Sequence, residues 1–243
     1  MNPSATKFDL GNANACARAS AMAYRAAPTL ANATTDTQVV IDPGATVLVS
    51  FRGTTNLRDW LTDVQCTKRL LVEEANGDQC EVHHGFLDGA ESILGDLIRI
   101  LGGYKNRPLV VTGHSLGGAL AILAALELQR MGFNVEQVYT FGQPRVGNKC
   151  FAQLYNVALG DRTFAVANEG DPVPLVPTLL MGYRDCGTEI FLKRNGTMQV
   201  NPFIGAALFA DVFGFWRSWR EHELAFLSNH FLAEYQERLK GLA

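Results

Sequence analysis

The chain carries no excess of positive charge. Its formal net charge is −3 at pH 7 over 243 residues, which leaves no electrostatic case for nucleic acid as a partner. It has no long uninterrupted apolar run either. The richest stretch, "NPFIGAALFADVFGFWRSW" at residues 201–219, is broken by Asp211 and too short for a membrane span, so it reads as a helix buried over a sheet. The start, "MNPSATKFDLGNANACARAS", lacks a basic segment followed by an apolar core, so no signal peptide is read there. As written the chain is expected to be cytoplasmic, or secreted if a leader has been removed. Five cysteines (16, 66, 80, 150 and 186) show no zinc spacing, and their odd number leaves at least one free if the rest pair. Cys66 and Cys80 flank a strand–turn–strand pattern around Asn76-Gly77, where a bridge across the hairpin is one reading and two plain thiols the other. Cys186, in a strand-like run, is expected to be small, buried and apolar. There are no repeats, no low-complexity tracts and no linkers.

What is present suits one globular domain over residues 1–243, with 47% hydrophobic and 19% charged residues. Residues 10–26 read as a helix. "TQVVID" and "TVLVSFRG" read as strands about the turn Asp42-Pro43-Gly44. In "GFLDGAESILGDLIRIL", Phe86, Ala90, Ile93, Leu94, Leu97, Ile98 and Leu101 recur at three and four, an amphipathic helix. "VEQVYTFG" and "RTFAVAN" are strands with a helix, "NKCFAQLYNVAL", between them. "YRDCGTEIFL" is a strand with Asp185 inside it, and a terminal helix surrounds "HFLAEYQERLKGL". Strands alternating with helices predict an α/β fold, a mostly parallel sheet covered on both faces, with antiparallel hairpins at one edge.

The chemistry concentrates in "RPLVVTGHSLGGALAILAALELQ". Leu109 to Val111 form a buried strand, and from Ala119 an apolar helix runs to the stop signal Gly132. Only Gly113-His114-Ser115-Leu116-Gly117 separates them. So tight a turn strains its apex and crowds its neighbours, which calls for glycine two positions to either side. The apex serine is pushed outward, and the helix N-terminus aims backbone N–H groups at any anion formed there. This is the G-x-S-x-G nucleophile elbow, with Ser115 as nucleophile.

A serine hydroxyl needs a base, and the base needs an orienting carboxylate. In a strand–elbow–helix fold these follow in the order nucleophile, acid, histidine. Asp171 ends "TFAVANEGD", and Pro172, Pro174 and Pro177 stop regular structure after it. Asp161 precedes that strand, at the wrong end of the sheet. Of five histidines only His222 and His230 follow Asp171. His222 lies on a charged stretch that reads as a solvated face. His230 sits at a loop–helix junction that Ser228 or Asn229 can cap, and is preferred. His83, His84 and His114 precede or adjoin the serine and read as structural, His114 by packing under the elbow. One oxyanion donor is the N–H of Leu116. The other is Thr54, presented after Gly53 in "VLVSFRGTTN".

"VSFRGTTNLRDWLTD", "VHHGFLDG", "VTGHSLGGALAILAA", "FGQPRVGN", "GDPVPLVP" and "NHFLAEY", in this order, resemble the class 3 (fungal-type) triacylglycerol lipases of the α/β-hydrolase fold over roughly residues 10–240. The resemblance implies the triad Ser115, Asp171 and His230, oxyanion donors Thr54 and Leu116, and a short lid around 55–63. Leu57, Trp60 and Leu61 would form one apolar edge of that lid, covering an acyl groove in water and opening at a lipid surface. The implied activity is hydrolysis of carboxylic esters, fatty-acyl glycerides foremost, through an acyl-enzyme and without metal or cofactor. The expected partners are a lipid or ester substrate and a transient lipid interface. Other readings are an esterase for another acyl group (a feruloyl esterase or phospholipase A1), transfer to an alcohol instead of water, and a non-catalytic lipid-binding relative. Residues 201–219 match nothing in the family pattern; lining of the acyl pocket or contact with a membrane surface stand beside the buried-helix reading.

Overall fold

The computed structural model describes residues 7–54, 67–74, 76–201 and 228–242. The expected lid, with Leu57, Trp60 and Leu61, lies outside them, as do Cys66, His222 and residues 202–219.

The main sheet has eight strands: β1 (Leu30–Asn32), β2 (Thr37–Pro43), β3 (Val47–Phe51), β6 (Leu109–His114), β7 (Val135–Phe141), β9 (Thr163–Asn168), β11 (Thr188–Leu192) and β12 (Met198–Val200), adjacent in that order. From β3 to β11 every pairing is parallel, and the pairs β1–β2, β2–β3 and β11–β12 are antiparallel. Antiparallel strands thus close both edges, where the sequence predicted one. β1 and β12 are too short and too exposed to carry a pattern. A second, antiparallel sheet runs β10 (Tyr183–Arg184), β8 (Gly147–Asn148), β5 (Gln79–His83), β4 (Lys68–Glu73); the hairpin at Asn76-Gly77 belongs to it.

Alternation along the central strands decides the two cores. On β6, Leu109 and Val111 face one apolar cluster and Val110 the other, as the two-residue period of a strand requires. The first cluster takes α2 (His84–Leu101), α3 (Leu116–Arg130) and α4 (Lys149–Leu159). The second takes α1 (Leu10–Met22) and α5 (Leu232–Lys240). Helix α2 buries Phe86, Ala90, Ile93, Leu97 and Leu101, a single stripe. Helix α3 is buried on nearly every side from Gly117 to Leu126, which is why its sequence is apolar all round. Helices therefore cover both faces, as expected.

Four local expectations change. The first helix stops at Met22, so Tyr24 lies in the turn beyond it, not on the helix. "YRDCGTEIFL" is two strands, not one. Gly187 at φ 75° and buried Cys186 break the run, and Asp185 lies between the two strands with its carboxylate on Arg145. Cys80 pairs with Cys150 across 70 residues, not with Cys66, because β5 lies against α4 and brings the two Cα atoms to 4.6 Å. Finally, neither Ser228 nor Asn229 caps α5; Phe231 occupies that place without a side-chain bond. Asn229 is engaged instead with β9, its carbonyl accepting from Asn168 Nδ2 at 3.0 Å.

Candidate active site

Ser115 sits between β6 and α3 with φ 57° and ψ −130°, a backbone region that a non-glycine residue adopts only when its surroundings impose it. The surroundings do impose it. A Cβ on Gly113 would lie 2.2 Å from the Gly117 carbonyl oxygen, and one on Gly117 would lie 2.3 Å from that of Phe51. The strand end Phe51-Arg52-Gly53 therefore presses directly on the elbow and brings Thr54 to it. Leu116 is the first residue of α3, with its N–H at the helix's positive end.

Asp171 stands just past the end of β9, as its sequence position suggested. Its carboxylate is buried and takes up three donors. His230 Nδ1 lies 2.8 Å from Oδ2 and 3.0 Å from Oδ1, the Tyr235 hydroxyl donates to Oδ2 at 2.5 Å, and the Val173 N–H donates to Oδ1 at 2.9 Å. Burial alone would raise its pKa. The opposing charge of His230 and these hydrogen bonds outweigh burial and hold the carboxyl below its usual value. The bond to Asp171 fixes the ring of His230 so that Nε2 is the free nitrogen. His230 Nε2 and Ser115 Oγ are both buried, and neither has a hydrogen-bond partner among the described residues.

Ser115, His230, Thr54 and His114 share one cavity of about 360 Å³. Ala21, Phe231, Leu232 and Ala233 make its apolar wall, and Tyr24, Arg25 and Gln236 are polar. Phe231, next to His230, is 56% exposed, so the wall continues onto the surface. Ser115, Asp171, His230, Thr54 and Leu116, assigned from sequence, are thus brought together. Asp161 lies in the turn before β9, at the opposite strand end. His84 Nε2 stands 3.3 Å from Asp88 on α2, and His83 stacks on Phe86 with ring centres 4.1 Å apart.

Three contributors escaped the sequence reading. The first is Tyr235, whose hydroxyl donates to Asp171 and accepts the Asn168 N–H at 3.1 Å. Gly142, at φ 56° after β7, is the residue against which the Asp171–His230 pair rests. A Cβ there would lie 2.8 Å from both Asp171 Oδ2 and His230 Nδ1. Arg145 is buried; Nε pairs with Asp185 at 2.7 Å and Nη1 donates to the carbonyls of Leu175 (2.6 Å) and Pro177 (3.2 Å), clamping the proline-rich loop behind Asp171. The last two belong to "FGQPRVGN", whose glycine and arginine were the available signal.

Among the described residues no helix is long and apolar enough to cross a membrane. The family pattern "Lipase (class 3)" matches residues 48–181. The secreted mono- and diacylglycerol lipase 1 of Fusarium solani is 37% identical over 150 residues, 60% of this chain and 44% of that protein. The lipase of Rhizomucor miehei is 35% identical over 169 residues, 65% of this chain and 46% of that protein. The chain spans about half the length of such relatives. Among solved structures, a triacylglycerol lipase whose catalytic centre is formed by a serine protease triad superposes with a TM-score of 0.70 at 28% identity, covering 82% of this chain and 86% of that one. The Rhizomucor miehei triacylglyceride lipase gives 0.62 at 30% identity, covering 70% and 67%. With more than half its length in the family pattern and its fold superposing on solved lipases over most of the chain, the chain belongs to the class 3 lipase family and has the α/β-hydrolase fold.

Proposed function

We propose that this chain, working as one α/β-hydrolase unit, is a serine hydrolase that cleaves fatty-acyl glycerides through an acyl-enzyme on Ser115. The observation that carries the reading is the buried Asp171–His230 pair, with His230 lining the same cavity as the elbow serine and its Nε2 not engaged by any hydrogen bond among the described residues. In the proposed reaction His230 Nε2 takes the Ser115 proton as Oγ attacks the ester carbonyl, then returns it to the leaving alcohol. Asp171, kept ionised, holds the ring in one tautomer and stabilises its positive charge. The N–H groups of Thr54 and Leu116 receive the oxyanion. Water then repeats the attack on the acyl-enzyme. The apolar wall, with Phe231 exposed at its rim, favours acyl chains over small polar esters, and a lipid surface is the proposed site of action. The Cys80–Cys150 bridge, together with relatives named as secreted, favours an oxidising compartment.

A second reading is favoured by Arg25. Arg25 is exposed and lines the cavity; among the described residues no acidic side chain lines it and no carboxylate pairs with Arg25. A glycerophospholipid, with an anionic phosphate beside its acyl esters, would use that cation; a neutral glyceride would not.

The test is hydrolysis of p-nitrophenyl esters from C2 to C16, of diacylglycerol and of phosphatidylglycerol, by wild type and Ser115→Ala. Abolition in the mutant with a long-chain preference is expected. A higher kcat/KM on phosphatidylglycerol than on diacylglycerol selects the second reading. Activity surviving Ser115→Ala, or none in the wild type, refutes both.

A further inference from the structure

His114 does more than pack under the elbow. Its Nε2 lies 2.7 Å from the backbone carbonyl oxygen of His230, and its Nδ1 lies 2.9 Å from the Tyr24 hydroxyl. A carbonyl only accepts, so Nε2 carries the proton. Nδ1 is then the acceptor, and the Tyr24 hydroxyl donates to it. Gly53 packs against the same hydroxyl: a Cβ there would lie 2.2 Å from the Tyr24 oxygen. The contacts thus run from Gly53 through Tyr24 and His114 to His230, and the two hydrogen bonds among them both donate toward His230.

The neutral tautomer is enforced. Burial, then the neighbouring His230 ring, push the pKa of His114 down to about 3. The two imidazole ring centres lie 4.6 Å apart with the planes tilted by 33°, so a charged His114 would oppose the imidazolium that His230 must form. Burial pushes the Tyr24 phenol up to about 12, which keeps its proton available for donation.

The ends of this chain of contacts matter. Gly53 precedes Thr54, the proposed oxyanion donor. His114 precedes Ser115. His230 is the proposed base, and among the described residues its ring is hydrogen-bonded to Asp171 alone. We propose that Tyr24 and His114 form a positioning strut that sets the base and the oxyanion loop at fixed places about Ser115. Neither side chain exchanges a proton with substrate. The strut holds the spacing between the nitrogen that takes the proton and the donors that receive the negative charge. A misplacement of about 1 Å between such groups costs on the order of a hundredfold in rate.

The inference rests on Ser115 being acylated, and the experiment separates the two. A fluorophosphonate probe counts reactive serines and gives the rate of their labelling. Tyr24→Phe removes only the hydroxyl. His114→Gln keeps a donor for the His230 carbonyl and loses the acceptor for Tyr24. Both variants are first compared with wild type by thermal melting.

Each variant is expected to label to the full wild-type stoichiometry but ten- to a hundredfold more slowly. On p-nitrophenyl butyrate, kcat should fall by the same factor with KM within about twofold. Because the two residues act as one unit, the double variant should be no slower than the worse single one. Full-rate labelling in folded Tyr24→Phe overturns the strut. So does slowing that merely tracks a smaller labelled fraction, which would mark loss of folded protein, and so do multiplicative effects in the double variant. A wild type that does not label at all overturns the underlying reading instead.

Discussion

Replacing Tyr235 with phenylalanine isolates one oxygen atom. The hydroxyl is fully buried, donates to Asp171 Oδ2 at 2.5 Å and accepts the Asn168 N–H at 3.1 Å. A hydrogen bond to a buried carboxylate contributes about 1.5–3 kcal/mol, and an orphaned backbone N–H costs a further ~1 kcal/mol or more. Tyr235→Phe should therefore lower stability at pH 7 by about 3 kcal/mol. The loss should also depend on pH, with a definite sign. Asp171 is depressed below its unfolded value of 3.8, so its ionised form stabilises the fold above that pH, and this stability is lost as pH falls through the folded value. The variant has less of that stability to lose. Its deficit should shrink to about 1 kcal/mol once the carboxyl is protonated in both states, leaving the Asn168 contribution. Urea unfolding of both proteins from pH 7 to a pH below the folded value of Asp171, with m held common, measures this. A deficit that is equal at both ends of the range, or below about 0.5 kcal/mol at pH 7, refutes the charge-assisted bond.

Two further outcomes follow from groups away from the serine. Glu189 lines a small cavity with Arg145, Asp185 and Gln143, and burial, then Asp185, push its carboxyl up to about 7 against a usual 4.5. Its charged form therefore costs stability: the cost is absent below 4.5, grows through the window between the two values, and is complete above 7. Glu189→Gln should match wild type near pH 4.5 and exceed it by about 2 kcal/mol at pH 8, after discounting for partial exposure; an equal difference at both pH values would contradict this. Reducing the Cys80–Cys150 bridge reopens a loop spanning 70 residues and should lower stability by about 4 kcal/mol on chain-entropy grounds. Urea midpoints with and without dithiothreitol test that, and unchanged midpoints alongside two newly titratable thiols would contradict it.

The parts of the fold that were legible in the sequence are those where local physics and tertiary physics agree. β6, the elbow and α3 could be read because a buried strand, an apolar helix and the glycines of a strained turn are each marked by residue type. Asp171 and His230 were legible through chain order. Antiparallel pairing at the second edge was not, because β12 is three exposed residues whose existence depends on β11 beside it. The Cys80–Cys150 bond is a statement about which strand packs on which helix, and no spacing of cysteines encodes that.

The same division runs through the site. Residues that do chemistry by identity stand out, because a serine between glycines has few other reasons to be there. Residues that act by holding others do not. Tyr235 lies on an amphipathic helix where a buried aromatic is ordinary, and its role appears only when Asp171 arrives from the end of β9. His114 adjoins Ser115, yet its partners come from both ends of the chain, Tyr24 just past α1 and His230 before α5. Two conditions make both side chains effective: complete burial, which strengthens each hydrogen bond they make, and a partner whose own charge or position the reaction depends on. A phenol or imidazole that meets only the first condition is core. These two meet both, so the support of a triad is found by following buried hydrogen bonds outward from the acid and the base.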